Sequence, residues 1–391
     1  MLNFTFYNPT KILFGKEQLA ELDNLVPKGS KVLVTYGGGS VKKTGLLDNV
    51  KAELAKSHRE VFEFGGILPN PQFDILMEAV KIVRENGINF ILAIGGGSVI
   101  DGTKFIAITS YNDQFIGKEE EILNFGFAGV PAERSIPFGT VVTLPATGSE
   151  MNNGAVISKG EDKLVVMSEL NFPKFSILDP ELTFTLPEKQ VANGIVDTFV
   201  HTVEQYITYP VEARFQDRTS EGILQTLIEV GEKTLKNPTD YDARANLVWC
   251  ATMALNGLIG AGVPQDWNTH MIGHEITALT GIDHGRTLAI IQPAVWKVRR
   301  AQKAEKLVQY AERVWGIKEG SVDEKIDAAI LETEKFFNSL GVPTSLKDYE
   351  LPENFIDKVI GSLEKHGMTS LSEHGDVTLN ISRKILEAAM Q

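Results

Sequence analysis

The stretch "NFILAIGGGSVIDGTKFIAIT" (residues 89–109) changes its pattern halfway along. It opens with an apolar run that is typical of a buried β-strand, continues through three glycines and a serine, and ends in a segment with helical character. A strand that leads through glycine directly into a helix is the usual start of a βαβ unit, the building block of parallel sheets. This stretch therefore predicts an α/β fold.

The same alternation continues on both sides of this stretch. A strand-type run at residues 31–39 ("KVLVTYGGG") precedes a helical pattern at 46–56, and a second run at 59–66 ("REVFEFGG") precedes another helical pattern at 73–86. Further strand-type runs occur at 140–150, 155–160, 163–168 and 175–180. Strands that alternate with helices favour a parallel sheet with helices on both faces.

After Pro187 the pattern becomes helical. The segments 187–207, 222–235, 242–261 and 326–340 all have apolar residues at helical spacing and few strand signals. The change falls at "DPELTFTLP" (179–187), which contains two prolines. We predict an α/β dinucleotide-binding domain over residues 1–183 and an all-α metal-binding domain over residues 184–391.

Composition excludes several classes of partner. The chain of 391 residues has 51 acidic and 38 basic residues and a net charge of −13, so its surface should repel nucleic acid and anionic lipid. Neither a signal-peptide pattern nor an apolar stretch of membrane-spanning length is visible. We expect a cytoplasmic protein with no nucleic-acid or membrane partner. The one cysteine, Cys250, lies in an apolar helical pattern and is expected to be a core thiol.

Two glycine loops follow strand-type runs and open helices, at Gly37–Ser40 and at Gly95–Lys104. Glycines let a phosphate approach the backbone, and the free N–H groups of a helix start attract anions. Neither loop fits G-x-G-x-x-G, and the second fails the P-loop pattern because Thr103 and Lys104 stand in transposed order. Turns of this kind also occur without ligands, but two of them favour nucleotide binding.

Three of the seven histidines fall within "HMIGHEITALTGIDH" (270–284). His270 and His274 are four residues apart and would share one face of a helix, as metal ligands often do. Both zinc-protease motifs, H-E-x-x-H and H-x-x-E-H, require a glutamate that this segment lacks. The segment therefore favours a metal site that is not a metalloprotease site.

A second pair with the same spacing, Asp197 and His201, lies in "GIVDTFVH" (194–201). Alone, such a pair more often stabilises a helix. With His270 and His284 it supplies a carboxylate and three imidazoles, a set that suits Zn²⁺ or Fe²⁺ better than Mg²⁺ or Ca²⁺. We therefore predict one divalent transition-metal ion.

Long motifs resemble the iron-containing (group III) alcohol dehydrogenases. They are "LPATGSE" (144–150), "GIVDTFVHTVEQY" (194–206), "GAGVPQDWNTHMIGHEITAL" (260–279) and "DHGRTLAI" (283–290). The resemblance extends from residue 8 almost to the C-terminus and is strongest to the butanol-dehydrogenase-like branch, which includes NADPH-dependent aldehyde reductases of broad substrate range. It implies the dehydroquinate synthase-like fold, an α/β dinucleotide-binding domain followed by a helical domain.

The resemblance also implies roles for individual residues. The metal ligands correspond to Asp197, His201, His270 and His284. The pyrophosphate loop corresponds to Gly96, Gly97 and Ser98, with Asp101, a candidate catalytic residue, beside it near the nicotinamide. Gly38 and Ser40 match the adenosine-ribose end, and we expect the whole loop of Gly37, Gly38, Gly39 and Ser40 to bind the cofactor. Thr143 and Thr147 match cofactor-contacting threonines, although the family's usual second threonine is Leu144 here, and Lys163 matches a lysine near the nicotinamide ribose.

The implied reaction is the reversible reduction of an aldehyde to a primary alcohol by NADPH at a metal site, in a homodimer. An alternative is a lyase of the dehydroquinate synthase type, which would need basic residues for a polyanionic substrate; the two metal motifs contain none. A metal or nucleotide sensor is a third possibility, which a steady-state assay would separate.

Two finer expectations concern the cofactor and the proton. NAD-selective sites usually place an acidic residue past the second core strand, and the segment Thr35–Ser40 contains none, so NADPH should be preferred. Lys42 or Lys43 could hold the 2′-phosphate. A catalytic metal needs an open position, so one of the five candidate ligands should not bind it. We expect that residue to be His274, acting in proton transfer beside the nicotinamide; simple packing against the cofactor is the alternative.

Overall fold

Contacts divide the chain, which this computed structural model describes over residues 1–391, into two units. One unit is Tyr7–Thr185, and the other is Leu186–Gln391 together with Met1–Phe6. The boundary after Thr185 lies two residues beyond the sequence-based position, and the first six residues group with the second unit rather than the first. The functional assignment of the two ranges stays a prediction.

The first unit contains a six-stranded sheet in the order β1-β8-β5-β4-β2-β3, in which all neighbouring strands are parallel. A separate antiparallel hairpin is formed by β6 and β7. The strands are β1 (Lys11–Phe14), β2 (Lys31–Tyr36), β3 (Glu60–Phe64), β4 (Phe90–Gly95), β5 (Phe138–Val142), β6 (Gly154–Lys159), β7 (Asp162–Met167) and β8 (Phe175–Leu178).

Five helices belong to this unit: α1 (Leu22–Leu25), α2 (Ser40–Lys43), α3 (Leu46–Ala55), α4 (Phe73–Asn86) and α5 (Gly97–Thr109). Strand β4 is buried at every position, as its unbroken apolar run predicts for a central parallel strand. Helix α5 is buried over most of its length, which explains why its sequence is apolar all round instead of amphipathic. The predicted α/β fold with a parallel sheet is confirmed.

The strand order changes direction between β2 and β4. From β2 the chain moves outward to β3, and it then returns to the other side of β2 to form β4. Open α/β sheets bind ligands outside the carboxyl ends of the strands at such a switch point. The two glycine loops follow β2 and β4 and therefore lie at this position of the sheet.

The second unit is helical, as predicted. It is composed of α6 (Glu188–Tyr206), α7 (Arg214–Lys236), α8 (Tyr241–Ala254), α9 (Asn268–Thr280), α10 (His284–Val298), α11 (Arg300–Arg313), α12 (Val322–Ser339), α13 (Phe355–Lys365) and α14 (Leu379–Ala388). Helix α6 packs against α7, α8, α9 and α10 and is buried on nearly every side from Val191 onward. The few polar side chains of a helix in this position face protein instead of water. Burial of such groups costs free energy unless they are hydrogen-bonded, paired or bound to a metal, so the polar residues of α6 are candidates for a functional role.

The extended segment Met1–Phe6 packs on the helical unit. The backbone N–H of Leu2 donates to the carbonyl of Gly262 at 2.9 Å. A Cβ atom at Gly262 would lie 2.6 Å from the Phe4 ring, and the residue has a φ of +70°, so glycine is required at this contact.

The one thiol of the chain belongs to the core of the helical unit. Cys250 is 7% exposed, as predicted, and burial raises its pKa to about 12. None of the helices combines the length and apolar character that a membrane span would need.

Candidate metal centre and cofactor loops

Three imidazoles surround one carboxylate oxygen in the helical unit. The Oδ1 atom of Asp197 lies 3.5 Å from Nε2 of His201, 3.6 Å from Nε2 of His270 and 3.8 Å from Nε2 of His284. Asp197, His201 and His270 are buried, and the His284 side chain is 24% exposed. Residues that are about 70 positions apart in the sequence are thus brought together.

Three helices supply these side chains. Asp197 and His201 lie one turn apart on α6, His270 lies in the first turn of α9, and His284 is the first residue of α10. The rings of His201 and His270 stack with their centroids 4.6 Å apart, and those of His270 and His284 are 5.2 Å apart. The ligand atoms of Asp197, His201 and His270 all lie within 4.8 Å of one another, a spacing compatible with one metal ion.

The geometry fits a bound cation better than hydrogen bonding. Asp197 Oδ1 and His270 Nε2 are buried and have no hydrogen-bond partner, a state that is costly for polar atoms inside a protein. Two ligand atoms about 2.1 Å from one tetrahedral ion would be roughly 3.4 Å apart. The observed separations of 3.5–3.8 Å are close to that value. A divalent ion would satisfy these atoms at once.

The electrostatics of the cluster also favour a cation. Burial disfavours the Asp197 carboxylate, but the imidazoles of His201, His284 and His270 outweigh that effect and hold its pKa well below the usual range. Burial lowers the pKa of His201 to about 4, which keeps that ring neutral. Burial also opposes protonation of His270, but Glu204 and Asp197 raise its pKa to about 9. A metal ion would therefore replace a proton at His270 when it binds.

Glu204 is a candidate functional residue that the sequence analysis missed. Its side chain is fully buried, and its Oε1 accepts a hydrogen bond from the backbone N–H of Thr269 at 2.6 Å. Its Oε2 is hydrogen-bonded to Nδ1 of His270. Because Nδ1–H donates to this carboxylate, Nε2 is the nitrogen of His270 that would be available to a metal ion. The signal was present in the sequence, since positions 197, 201 and 204 have the i, i+4, i+7 spacing of one helix face.

His274 lies beside the cluster and is not part of the group formed by Asp197, His201 and His270. It is 7% exposed, and its ring centroid is 4.7 Å from that of His284 and 6.1 Å from that of His270. Its separate role in proton transfer stays a prediction.

The two glycine loops of the α/β unit differ in how closely they are packed. Cβ atoms added at Gly95, Gly96 and Gly97 would lie 2.5 Å from Val99, 2.9 Å from Leu144 and 2.5 Å from Thr147, respectively. In contrast, Cβ atoms at Gly38 and Gly39 would meet nothing within 4 Å. The second loop therefore needs glycine for packing, whereas the first presents open backbone at Gly38 and Gly39.

Thr143 and Thr147 lie at the same edge of the sheet as the second loop. The backbone N–H of Thr143 donates to the Gly95 carbonyl at 3.0 Å, and Thr147 is the residue that a Gly97 side chain would strike. Ser98 is in the first turn of α5. The structure thus brings these predicted cofactor residues together at the carboxyl ends of β4 and β5.

Asp101 is held in a polar network inside the unit. Its Oδ1 accepts from the Ser149 hydroxyl at 2.6 Å, and its Oδ2 accepts from the backbone N–H of Val156 at 2.9 Å. The Lys104 ammonium donates to Ser149, Asn152 and the Gly154 carbonyl at 2.7–2.9 Å. Burial raises the pKa of Asp101 and lowers that of Lys104 to about 8. The network ties α5 to β6, a structural role that the sequence did not indicate.

Lys163, on β7, pairs with Ser158 of β6 in the hairpin. Its positive charge is one of those that oppose the rise in the pKa of Asp101. Its contact with a nicotinamide ribose stays a prediction.

The surroundings of the first loop include the acidic residue Glu63. Ser40 opens α2, and Lys42 lies with its Nζ 5.1 Å from the centroid of the Tyr36 ring and 3.8 Å from the Glu63 carboxylate. Glu63 also pairs with Lys51 at 2.6 Å and accepts from the Tyr36 hydroxyl at 3.1 Å. The charge of Glu63 is therefore engaged by cations on its own side of the loop.

Comparison with known proteins gives a consistent assignment. A profile described as "Iron-containing alcohol dehydrogenase" matches residues 9–180, and one described as "Fe-containing alcohol dehydrogenase family, C-terminal" matches residues 191–370. The NADPH-dependent aldehyde reductase YqhD of Escherichia coli is 57% identical over 391 residues, covering 100% of both chains.

Two further relatives extend the comparison. The NADP-dependent alcohol dehydrogenase 3 of Entamoeba histolytica is 42% identical over 355 residues, which is 89% of this chain and 90% of that protein. The crystal structure of NADH-dependent butanol dehydrogenase A from Thermotoga maritima has a TM-score of 0.93 and 34% identity, and the match covers 100% of this chain and 99% of that one. Both halves of the sequence, and the fold, lead to the same assignment: this chain belongs to the iron-containing alcohol dehydrogenase family.

Proposed function

We propose that this protein reduces aldehydes to primary alcohols with NADPH and one divalent transition-metal ion, Zn²⁺ or Fe²⁺, and that it also catalyses the reverse reaction. The observation that carries this proposal is the buried Asp197 Oδ1 atom, which has three imidazole nitrogens at 3.5–3.8 Å and no hydrogen-bond partner. The full-length identity of 57% to an NADPH-dependent aldehyde reductase supports the reaction and the cofactor.

The side chains of the helical unit would have different roles at the metal. Asp197, His201, His270 and His284 would hold the ion, and Glu204 keeps the His270 ring in the tautomer that presents Nε2. When bound, such an ion supplies Lewis-acid polarisation of a carbonyl group. His274, adjacent to His284, would hold the proton that the alcohol product requires.

The α/β unit would bind the dinucleotide. The N–H groups at the start of α5, around Gly96, Gly97 and Ser98, are suited to the pyrophosphate, and the open loop at Gly37–Ser40 is suited to the adenosine ribose. A bound reduced nicotinamide supplies the hydride. Thr143, Thr147, Asp101 and Lys163 would line the nicotinamide end of this site.

Two of the three helices that carry the ligands have no cation beside the ligand positions, which favours a small neutral substrate. On the third, α10, Arg286 follows His284 by two residues and donates to the Gly341 carbonyl at 3.3 Å. Between Val191 and Tyr206, and between Asn268 and Thr280, the sequence contains no lysine or arginine. A lyase of the dehydroquinate synthase type acts on a polyanion and would need such cations near the metal. This composition supports an aldehyde as the substrate.

The test is metal analysis of the purified protein together with a panel of aldehydes and both reduced cofactors. We expect about one divalent metal ion per chain, turnover of butanal with NADPH, and loss of turnover after chelation that Zn²⁺ or Fe²⁺ restores. A preparation that elemental analysis shows to be free of metal, but that keeps full activity, would contradict the proposal.

We also propose that the protein is a homodimer that works in the cytoplasm. Five of the fourteen exposed large apolar side chains lie in the first seven residues: Met1, Leu2, Phe4, Phe6 and Tyr7. A concentration of apolar surface of this kind is typical of an interface. The single buried thiol, with no disulfide, suits a reducing compartment. Light scattering should show a dimer that the double variant Phe4→Ser, Phe6→Ser weakens; a monomer at all concentrations would contradict the proposal.

A further inference from the structure

Trp267 has an unusual backbone conformation beside the candidate metal ligands. It immediately precedes α9 and has φ 61° and ψ 10°, in the left-handed region. Six non-glycine residues of the chain have positive φ values, and the other five are polar: Glu17, His58, Asn70, Glu212 and Ser372. A bulky residue in this region is strained, and such strain is found most often at functional sites.

The indole of Trp267 lies against two of the candidate ligands. Its ring centroid is 5.3 Å from that of His270 and 6.3 Å from that of His201, with both pairs in edge-to-face orientation. The indole N–H donates to Oε1 of Gln265 at 2.9 Å. The Trp267 carbonyl accepts from Met271 at 3.0 Å, which fixes the start of α9. Both the backbone and the ring are therefore held in place.

The surface that the indole offers is apolar. The imidazoles of His201 and His270 are buried, whereas Trp267 is partly exposed, so its ring lies at the edge of the cluster. Its one polar hydrogen is already donated to Gln265. What remains is the apolar carbon surface of the indole, which lies at the edge of the group of candidate ligands.

We propose that Trp267 determines substrate specificity by forming the wall against which the alkyl chain of an unbranched aliphatic aldehyde packs. This inference rests on the proposed function and names its substrate class. Each methylene that is removed from water onto an apolar surface strengthens binding about fourfold. Longer unbranched aldehydes are therefore favoured over shorter ones, and anionic or polyhydroxy aldehydes gain no binding energy from contact with the indole.

The test compares kcat/KM for propanal, butanal, pentanal and hexanal with NADPH in the metal-loaded protein. The wild type should gain about fourfold per methylene group. In Trp267→Ala the increase should nearly vanish, and in Trp267→Phe most of it should remain. Trp249→Ala, which removes an exposed indole from α8, is the control and should keep the wild-type increase.

Metal content and cofactor affinity serve as readouts independent of turnover. All variants should keep the metal content and the KM for NADPH of the wild type. The inference is overturned if Trp267→Ala keeps the full chain-length dependence, if it loses metal, or if only its KM for NADPH changes. In the last two cases the indole supports the ligands or the cofactor and not the substrate.

A binding measurement separates this inference from the proposed function. If the wild type reduces no aldehyde, the proposed function fails, but titration of the metal-loaded protein with 1-alkanols still tests the wall. Affinity that rises with chain length in the wild type and not in Trp267→Ala supports the inference, and equal affinity for all chain lengths overturns it.

The backbone strain has its own test. Trp267→Gly removes the same indole as Trp267→Ala but also removes the Cβ atom that disfavours a positive φ. The melting temperature of the glycine variant should therefore exceed that of the alanine variant. If the alanine variant is as stable as the glycine variant, the assignment of strain is overturned. Either variant can be used to measure the chain-length dependence.

Discussion

At the carboxyl end of β4 the candidate cofactor loop is formed by three glycines that pack closely against neighbouring side chains, whereas in the helical unit the candidate metal site is formed by imidazoles that converge on one carboxylate oxygen. A Cβ atom added at Gly95, Gly96 or Gly97 would lie 2.5–2.9 Å from a neighbouring side chain and would disrupt the first site. The second depends on side chains from α6, α9 and α10. One site should therefore be sensitive to atoms that are added, and the other to atoms that are removed.

The same comparison applies within the α/β unit. The segments Gly37–Ser40 and Gly95–Ser98 both have the sequence GGGS, and both connect a strand to a helix. The first leads into α2, which has four residues and is mostly exposed, and the second leads into the largely buried α5. Identical residues thus provide an open surface in one loop and close packing in the other, so a glycine motif alone does not reveal which use applies.

The largest effect is expected from removal of single imidazoles. His270→Ala should lose the metal outright, because it removes a nitrogen that faces Asp197 Oδ1 at 3.6 Å. His274→Ala should keep stoichiometric metal but lose roughly 10²–10⁴-fold in kcat, the usual contribution of a proton-transfer group. Elemental analysis and steady-state kinetics on the same preparations provide the measurement.

Metal loss from His274→Ala that equals the loss from His270→Ala would show that His274 is a ligand. Intact metal with nearly normal kcat would instead leave His274 as a packing residue. His284→Ala should resemble His270→Ala, because its Nε2 also faces the Asp197 carboxylate.

A smaller effect is expected from a change to Glu204, the carboxylate that is hydrogen-bonded to Nδ1 of His270. Glu204→Gln keeps the shape of the side chain but removes the charge that orients Nδ1–H, so metal affinity should fall by roughly 10–100-fold. Competition with a chromophoric chelator measures this affinity directly. The matched control is Glu275→Gln, which alters a second buried Glu–His pair in the same unit, with His366 at 2.8 Å. Equal affinities for Glu204→Gln and the wild type would rule out the orienting role.

The contrast between the loops predicts different effects of one methyl group. Gly97→Ala would place a methyl 2.5 Å from Thr147 and should destabilise the protein by about 1–3 kcal/mol, as overpacking usually does. Gly38→Ala meets nothing within 4 Å and should change stability by no more than about 0.5 kcal/mol. Urea unfolding of both variants compares them. Similar losses of stability would show that the first loop is not open.

The smallest effect concerns the choice of cofactor. The unmodified protein should prefer NADPH, and Gly38→Asp should erase the preference, since a carboxylate repels the 2′-phosphate and accepts from a ribose 2′-hydroxyl. The ratio of kcat/KM for NADPH and NADH is the measurement. Equal values in the unmodified protein would refute the prediction. Glu63→Gln tests the nearby acid, which Lys42 and Lys51 already engage, and should change the ratio less.

Patterns that are local in the sequence were sufficient to predict the sheet, the helical unit and the pair on α6. For example, the uninterrupted apolar run of β4 and the glycines that follow it are adjacent in the sequence, and together they predict a buried strand that leads into a helix. The group of Asp197, His201 and His270 was expected from spacing and resemblance, but its distances depend on how α6 and α9 pack. No local signal specifies such a packing.

Other features could not be predicted from the sequence because the residues that form them are far apart in the chain and belong to no recognisable motif. The contact of Met1–Phe6 with the helical unit depends on a missing side chain at Gly262, which is one glycine among 35. The link from Asp101 through Ser149 to Lys104 uses residues that are usually solvated. The roles of these groups follow from burial, which a sequence reports poorly for polar residues.

The burial of Cys250 has a practical consequence for labelling. Its thiol is 7% exposed and has a pKa of about 12, so almost none of it is the reactive thiolate at neutral pH. A cysteine introduced at Ser40, an exposed position at the open glycine loop, would then be the one thiol that a maleimide dye modifies. The arrival of a dinucleotide at that loop could be followed by fluorescence without first removing any natural residue.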